Sequence, residues 1–129
     1  MAVRSGYPRF LPILLWTAFI IYALVSEPSG LPKYRWLDFP GADKLIHAVL
    51  FLVEIVAWGW VFRFNLTFKW VLIGLLGCLA LGGGLEIIQH KWIDGREGDS
   101  LDLLADMIGA IMGSVGSRII FTITSRFMN

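Results

Sequence analysis

Charge is what this chain has least of. Only 16% of its 129 residues are Asp, Glu, Lys or Arg, against about 25% in an average soluble domain. A domain of this size exposes too large a share of its surface for so few charges to keep it in water. The 11 basic and 10 acidic residues nearly cancel, leaving +1. That balance excludes a strongly basic nucleic-acid binder and an acidic disordered chain. Cysteine is almost absent: Cys78 alone rules out an intramolecular disulfide and a cysteine-rich zinc site. There is no low-complexity tract, no convincing repeat and no segment left over for a separate soluble domain. Apolar residues fill the space, at 57% of the chain with a mean hydropathy of +0.70.

A helical span across a bilayer needs about 20 apolar residues. Four windows meet or approach that length, at about 10–25, 44–62, 70–92 and 101–123. The expectation is therefore an all-α, integral membrane four-helix bundle, with residues 1–129 forming a single domain. The first window is the shortest. Arg4 and Arg9 precede it and Ser26-Glu27-Pro28 follow, the outline of a signal peptide. Ala23-Leu24-Val25 matches a small-x-small cleavage site poorly, so a retained helix is expected. Pro12 falls in its first turn, where proline is tolerated. Pro28, Gly30, Pro32, Pro40 and Gly41 mark an irregular first connection. Trp36, Trp58, Trp60, Trp70 and Trp92 fall near span ends, as interfacial aromatics do.

Charge distribution sets an orientation. Four spans put the N-terminus, the 63–69 turn and the C-terminus on one side, with Arg4, Arg9, Arg63, Lys69, Arg118 and Arg126 and no acid. The other side, or the membrane half beside it, carries nine of the ten acids, Glu54 being the exception. That side also has Lys33, Arg35, Lys44, Lys91 and Arg96, so the basic count is six against five. The positive-inside rule favours both termini on the cytoplasmic side of the membrane.

Ionisable residues inside spans are costly and mark function by default. Asp43, His47 and Glu54 share one face of the second span. Glu86, Gln89 and His90 share one face of the third, and Asp102 and Asp106 one face of the fourth. Counted inward from the span ends, Glu86 and Asp106 both lie roughly 9 Å deep and His47 roughly 6 Å. Two small-residue stripes, Gly74-Cys78-Gly82 and Ala105-Gly109-Gly113-Ser117, permit close helix approach. The Gly82-Gly83-Gly84 run weakens the helix below Glu86, so a kink or a widened turn is expected there. Simpler readings stand beside these. Asp43, and Asp99 or Ser100, have the positions of helix caps. Glu86, Arg96 and Asp106 can form a purely structural ion-pair network, and His90 can face headgroups.

The ordered set Asp43-Lys44-x-x-His47, Glu86-x-x-Gln89, Gly95-Arg96 and Asp102-x-x-x-Asp106-x-x-Gly109 resembles the VanZ-like family of small bacterial membrane proteins, over roughly residues 40–118. Two positions depart from the family pattern: Phe51 stands where tyrosine is frequent, and Asp106 where asparagine is usual. The resemblance implies a helical membrane protein, linked in a few members to glycopeptide (teicoplanin) tolerance, with no established biochemical activity.

Three readings follow. The leading one is a ligand-binding site on the extracytoplasmic membrane face, built from Asp43, Lys44, His47, Glu86, Gln89, Arg96, Asp102 and Asp106. Its partners are membrane lipid and a lipid-linked envelope precursor, whose phosphate suits the fork of Arg96. The second is a membrane-embedded hydrolase or transferase using carboxylates and histidine as bases or metal ligands. No compact metal motif such as His-Glu-x-x-His supports it, and the cofactor is left open. The third is a structural or partner-binding protein whose glycine stripes meet another chain as an oligomer.

Overall fold

The computed structural model describes residues 8–26, 35, 38–62, 67–95 and 97–127, and its regular structure there is helical throughout. Helix α1 spans Leu11–Val25, α2 Ala42–Val61, α3 Phe68–Trp92 and α4 Ser100–Phe127. The last three have 20, 25 and 28 residues and are apolar and long enough to cross a membrane. Helix α1 has 15 residues. At 1.5 Å per residue it reaches about 22 Å, short of a hydrocarbon core of about 30 Å. Its length does not make it a span by itself; its packing makes it part of the bundle.

Local chemistry accounts for the helix ends. Pro12 lies in the first turn of α1, where its missing N–H costs nothing. Gly41 starts α2 with φ +85°, a left-handed backbone that glycine adopts without penalty. The expected Asp43 cap does not form: no side chain caps α2, and the Asp43 carboxylate lies in its first turn, favoured by the helix dipole. At the start of α4 a cap does form. Asp99 Oδ1 accepts the Leu101 amide at 2.9 Å. The Gly82-Gly83-Gly84 run does not interrupt α3, which continues as one helix to Trp92. The widened turn that the run allowed for below Glu86 does not form, since the segment is α-helical throughout.

Packing is closest between α2 and α4. A Cβ placed at Gly109 would lie 2.7 Å from the Ala48 carbonyl carbon and 2.8 Å from its Cα. One placed at Gly113 would lie 2.5 Å from the Leu52 carbonyl oxygen. The α4 stripe is thus covered by the α2 backbone of the same chain. The α3 stripe divides its contacts: Gly74 meets Trp58 and Ile55 of α2, and Gly82 meets Leu103 and Asp106 of α4. Between the helices lie Ile20, Leu24, Leu50, Phe51, Ile55, Cys78, Leu85 and Ala110.

Side-chain hydrogen bonds tie α1 to this core. Trp16 Nε1 donates to the Leu50 carbonyl at 2.9 Å, Thr17 Oγ1 to Glu54 Oε1 at 2.7 Å, and Gln89 Nε2 to the Leu24 carbonyl at 2.8 Å. At the far end, Phe62 stacks on Trp70 with centroids 4.6 Å apart, and Trp58 Nε1 donates to the Trp70 carbonyl. Large apolar side chains such as Leu14, Leu15, Leu76, Met112 and Ile119 remain exposed around the bundle. So broad an apolar exterior matches acyl chains rather than water.

Candidate functional site

The start of α2, the end of α3 and the start of α4 meet at one end of the bundle, and the charged side chains converge there. Lys44 is the hub of the outer layer. Its ammonium lies 3.1 Å from Asp43 Oδ2, 3.0 Å from Asp99 Oδ2 and 3.3 Å from Asp102 Oδ1. One turn further into the membrane, His47 forms the inner layer. Its Nδ1 is 2.8 Å from Asp106 Oδ1, and its Nε2 is 3.7 Å from Asp102 Oδ2. The first distance is a hydrogen bond; the second is too long for one. Asp102 therefore stands between the two layers, one oxygen toward Lys44 and the other toward His47.

Glu86 enters from α3. Its Oε2 accepts the Asp99 backbone amide at 2.9 Å, while its Oε1 is buried without a hydrogen-bond partner. The connection before α4 reaches Glu86 because Gly98 passes close over the end of α3: a Cβ there would lie 3.0 Å from His90 Cβ and 3.3 Å from the Glu86 carbonyl oxygen. Asp106 is 0% exposed, and its Oδ2 also lacks a hydrogen-bond partner. That oxygen faces α3 at Gly82, where a Cβ would lie only 2.6 Å from it. Gly82 makes room for the carboxylate.

Burial rises with depth: the side chain of Lys44 is 34% exposed, Asp102 14%, His47 6% and Asp106 1%. The cluster runs from a wet rim to a dry floor within two helical turns. At the rim, the Leu101 amide and then the Lys44 ammonium hold the Asp99 carboxyl below the usual carboxylate value. Both favour its charged form.

Of the eight residues expected at the site, the structure joins Asp43, Lys44, His47, Glu86, Asp102 and Asp106. Gln89 is elsewhere. It is buried toward α1 and holds the Leu24 carbonyl. Arg96 lies outside the described residues. His90 is exposed, consistent with a headgroup-facing position. Asp99 was anticipated only as a cap, yet it does three things. It caps α4, binds Lys44 and offers its amide to Glu86. Its position beside Ser100 revealed the cap; its reach to α2 and α3 depends on the turn that precedes it. Glu54 lies deeper and apart, bonded by Thr17 through one oxygen and without a partner on the other.

Chemically, the cluster offers one imidazole backed by a carboxylate, two carboxylates with an oxygen to spare, and one ammonium. Among the described residues, His47, Glu86 and Asp102 present ligand atoms that all lie within 4.8 Å of one another. Compared with family models, curated proteins and solved structures, the chain matches none.

Proposed function

We propose that this chain is a VanZ-like, multi-pass protein of the bacterial cell membrane, with both termini cytoplasmic. In this reading its polar cluster binds a lipid-linked cell-envelope precursor at the extracytoplasmic face. The observation that carries the reading is the convergence of three membrane helices on His47 and Asp102 at one end of the bundle. Polar groups gathered inside a membrane at such cost mark a ligand path or site. A precursor held by its lipid tail would slide along the exposed apolar flank and present its phosphate to this rim. Lys44 and Arg96 then supply the cationic donors, Arg96 through its bidentate fork. The same reading links the protein to glycopeptide tolerance.

A catalytic role has one supporting observation. The His47–Asp106 pair has the geometry of an imidazole oriented by a carboxylate, with Nε2 turned toward the other acids. A base positioned in this way can take a proton from water or a hydroxyl. A purely partner-binding role has less support, since α2 already covers the glycines of α4 within the chain.

The test uses purified protein in lipid nanodiscs and native mass spectrometry with a polyprenyl diphosphate. The wild type retains the lipid against excess phosphatidylglycerol, and Lys44→Ala, Arg96→Ala and Asp102→Ala each lose it while remaining folded. In cells the same variants alter teicoplanin tolerance at unchanged protein level. If the three variants merely lose folded protein, the cluster is structural and the reading fails.

A further inference from the structure

We propose that His47, Glu86 and Asp102 bind a divalent transition-metal cation, of the zinc or manganese class, where α2 and α4 begin and α3 ends. The inference rests on reading this cluster as a ligand site, and it names the component that lets so acidic a site accept a phosphate. Among the described residues, Lys44 pairs with Asp43, Asp99 and Asp102, while Asp106 meets His47 and Glu86 meets the Asp99 amide, so acids outnumber cations in the cluster. A metal cation among these acids would offset their repulsion of an anionic headgroup and add to the donors already proposed at the rim.

The hydrogen bonds assign the ligand atoms. The contact of 2.8 Å between His47 Nδ1 and Asp106 Oδ1 fits an ionised carboxylate accepting from Nδ1–H. In the neutral imidazole the lone pair is then on Nε2, facing Asp102 Oδ2 at 3.7 Å. Asp102 has its other oxygen engaged by Lys44. Glu86 has Oε2 engaged by the Asp99 amide and Oε1 buried and free. Each of the three side chains is therefore fixed through one atom and presents the other to the same small space. Three lone pairs facing one another repel. A cation at about 2.0–2.3 Å from each converts that repulsion into coordination. The three atoms lie within 4.8 Å of one another; ligands of such an ion stand at most about 4.6 Å apart, so binding draws the side chains slightly inward.

Asp106 is the independent sign. Its side chain is 1% exposed and, among the described residues, bonds His47 through Oδ1 while Oδ2 has no partner. A carboxylate buried behind a histidine in this way orients the ring and raises its basicity, the arrangement found behind metal-bound histidines. Its burial is costly with a neutral imidazole as sole partner, and less so when Nε2 carries a metal that polarises the Nδ1–H. The donor set of one imidazole nitrogen and two carboxylates favours zinc or manganese over magnesium or calcium, which prefer oxygen alone. Three protein ligands leave coordination positions open toward the rim for water or a phosphate oxygen.

The full chain in detergent, stripped with EDTA and dialysed, is titrated with Mn2+ and followed by electron paramagnetic resonance, with Zn2+ as competitor. The expected result is one Mn2+ per chain, displaced by Zn2+, with nitrogen coupling from a histidine in the pulsed spectrum. Glu86→Gln keeps an acceptor for the Asp99 amide and Asp102→Asn keeps the shape. Each weakens binding by at least about tenfold, with an unchanged helical circular dichroism spectrum. Asp94→Asn, an exposed acid nearby, leaves binding as in the wild type. The proposal is overturned by no stoichiometric metal, by equal affinity in Glu86→Gln, or by absence of the nitrogen coupling, which needs no variant to fold. Metal binding that persists while polyprenyl diphosphate fails to bind overturns the lipid reading alone. Lipid binding without metal overturns the metal site alone.

Discussion

Replacing Gly109 by alanine adds one carbon at the tightest point of the bundle. The added Cβ would stand 2.7 Å from the Ala48 carbonyl carbon and 2.8 Å from its Cα, whereas ordinary contact begins near 3.4 Å. The obstacle is backbone, so no side-chain rotation relieves it. Helices α2 and α4 must separate by more than half an ångström. Overpacking of this kind costs about 1–3 kcal/mol, more than the roughly 0.5–1 kcal/mol that alanine contributes over glycine in a helix interior. The same crossing sets Lys44 and His47 of α2 against Asp102 and Asp106 of α4, so the 2.8 Å and 3.3 Å contacts stretch with it. Thermal unfolding in detergent and Mn2+ titration read the two consequences: Gly109→Ala lowers Tm and weakens metal binding together. Gly116 on the same helix has nothing within 4 Å of an added Cβ, so Gly116→Ala holds or raises Tm and leaves the metal affinity unchanged. Equal Tm for Gly109→Ala and wild type would refute the close α2–α4 approach and the site geometry that depends on it.

Four further outcomes follow from individual contacts. Gly82→Ala places a Cβ 2.6 Å from Asp106 Oδ2; it lowers Tm and weakens Mn2+ binding, whereas Gly83→Ala, with open space around it, does neither. Thr17→Val removes the hydrogen bond to the buried Glu54 carboxyl, a loss of about 1–3 kcal/mol seen as a lower Tm. Restoring Tm in the double variant with Glu54→Leu would trace the loss to that carboxyl. Gln89→Leu deletes the link to Leu24; hydrogen exchange speeds up in α1 while Mn2+ affinity is unchanged, because Gln89 lies outside the charged cluster. The depressed Asp99 carboxyl sets an acid limit. Its contribution to stability is complete above the ordinary carboxylate value near 3.9 and is lost as pH falls through its lower folded value. Asp99→Asn therefore lowers Tm at pH 6 and flattens the decline of Tm between pH 5 and pH 3; an unchanged decline would contradict this assignment.

Together these contacts describe a bundle with two chemically distinct ends. At one end Phe62, just after α2, stacks on Trp70 in the first turn of α3. The opposite end holds the charge. Pairing within the charged cluster makes it tolerable in a membrane, since Lys44 engages three carboxylates and His47 engages the deepest one. Among the described residues, one oxygen each on Glu86 and Asp106 is buried without a hydrogen-bond partner. The metal titration addresses the Glu86 oxygen together with His47 and Asp102.

Class and helix positions could be read along the chain, because they depend on runs of apolar residues and on helical period, which are local. The similar depths of His47, Glu86 and Asp106 followed from the same arithmetic. The pairing of stripes did not. The small faces of α3 and α4 suggested contact with each other, yet Gly109 and Gly113 lie against the α2 backbone; a small-residue stripe permits close approach without naming its partner. Gln89 and Glu86 occupy neighbouring positions on one α3 face, but the short helix α1 packs beside them and takes Gln89 for Leu24. Asp99 looked like a cap because capping is a local property; its bonds to Lys44 and Glu86 required the turn at Gly98 to fold over α3. Covalent sequence dictates which groups must leave water and at what depth. Only the packing of helices distant in the chain decides which of those groups face each other, and therefore which atoms are left to bind something else.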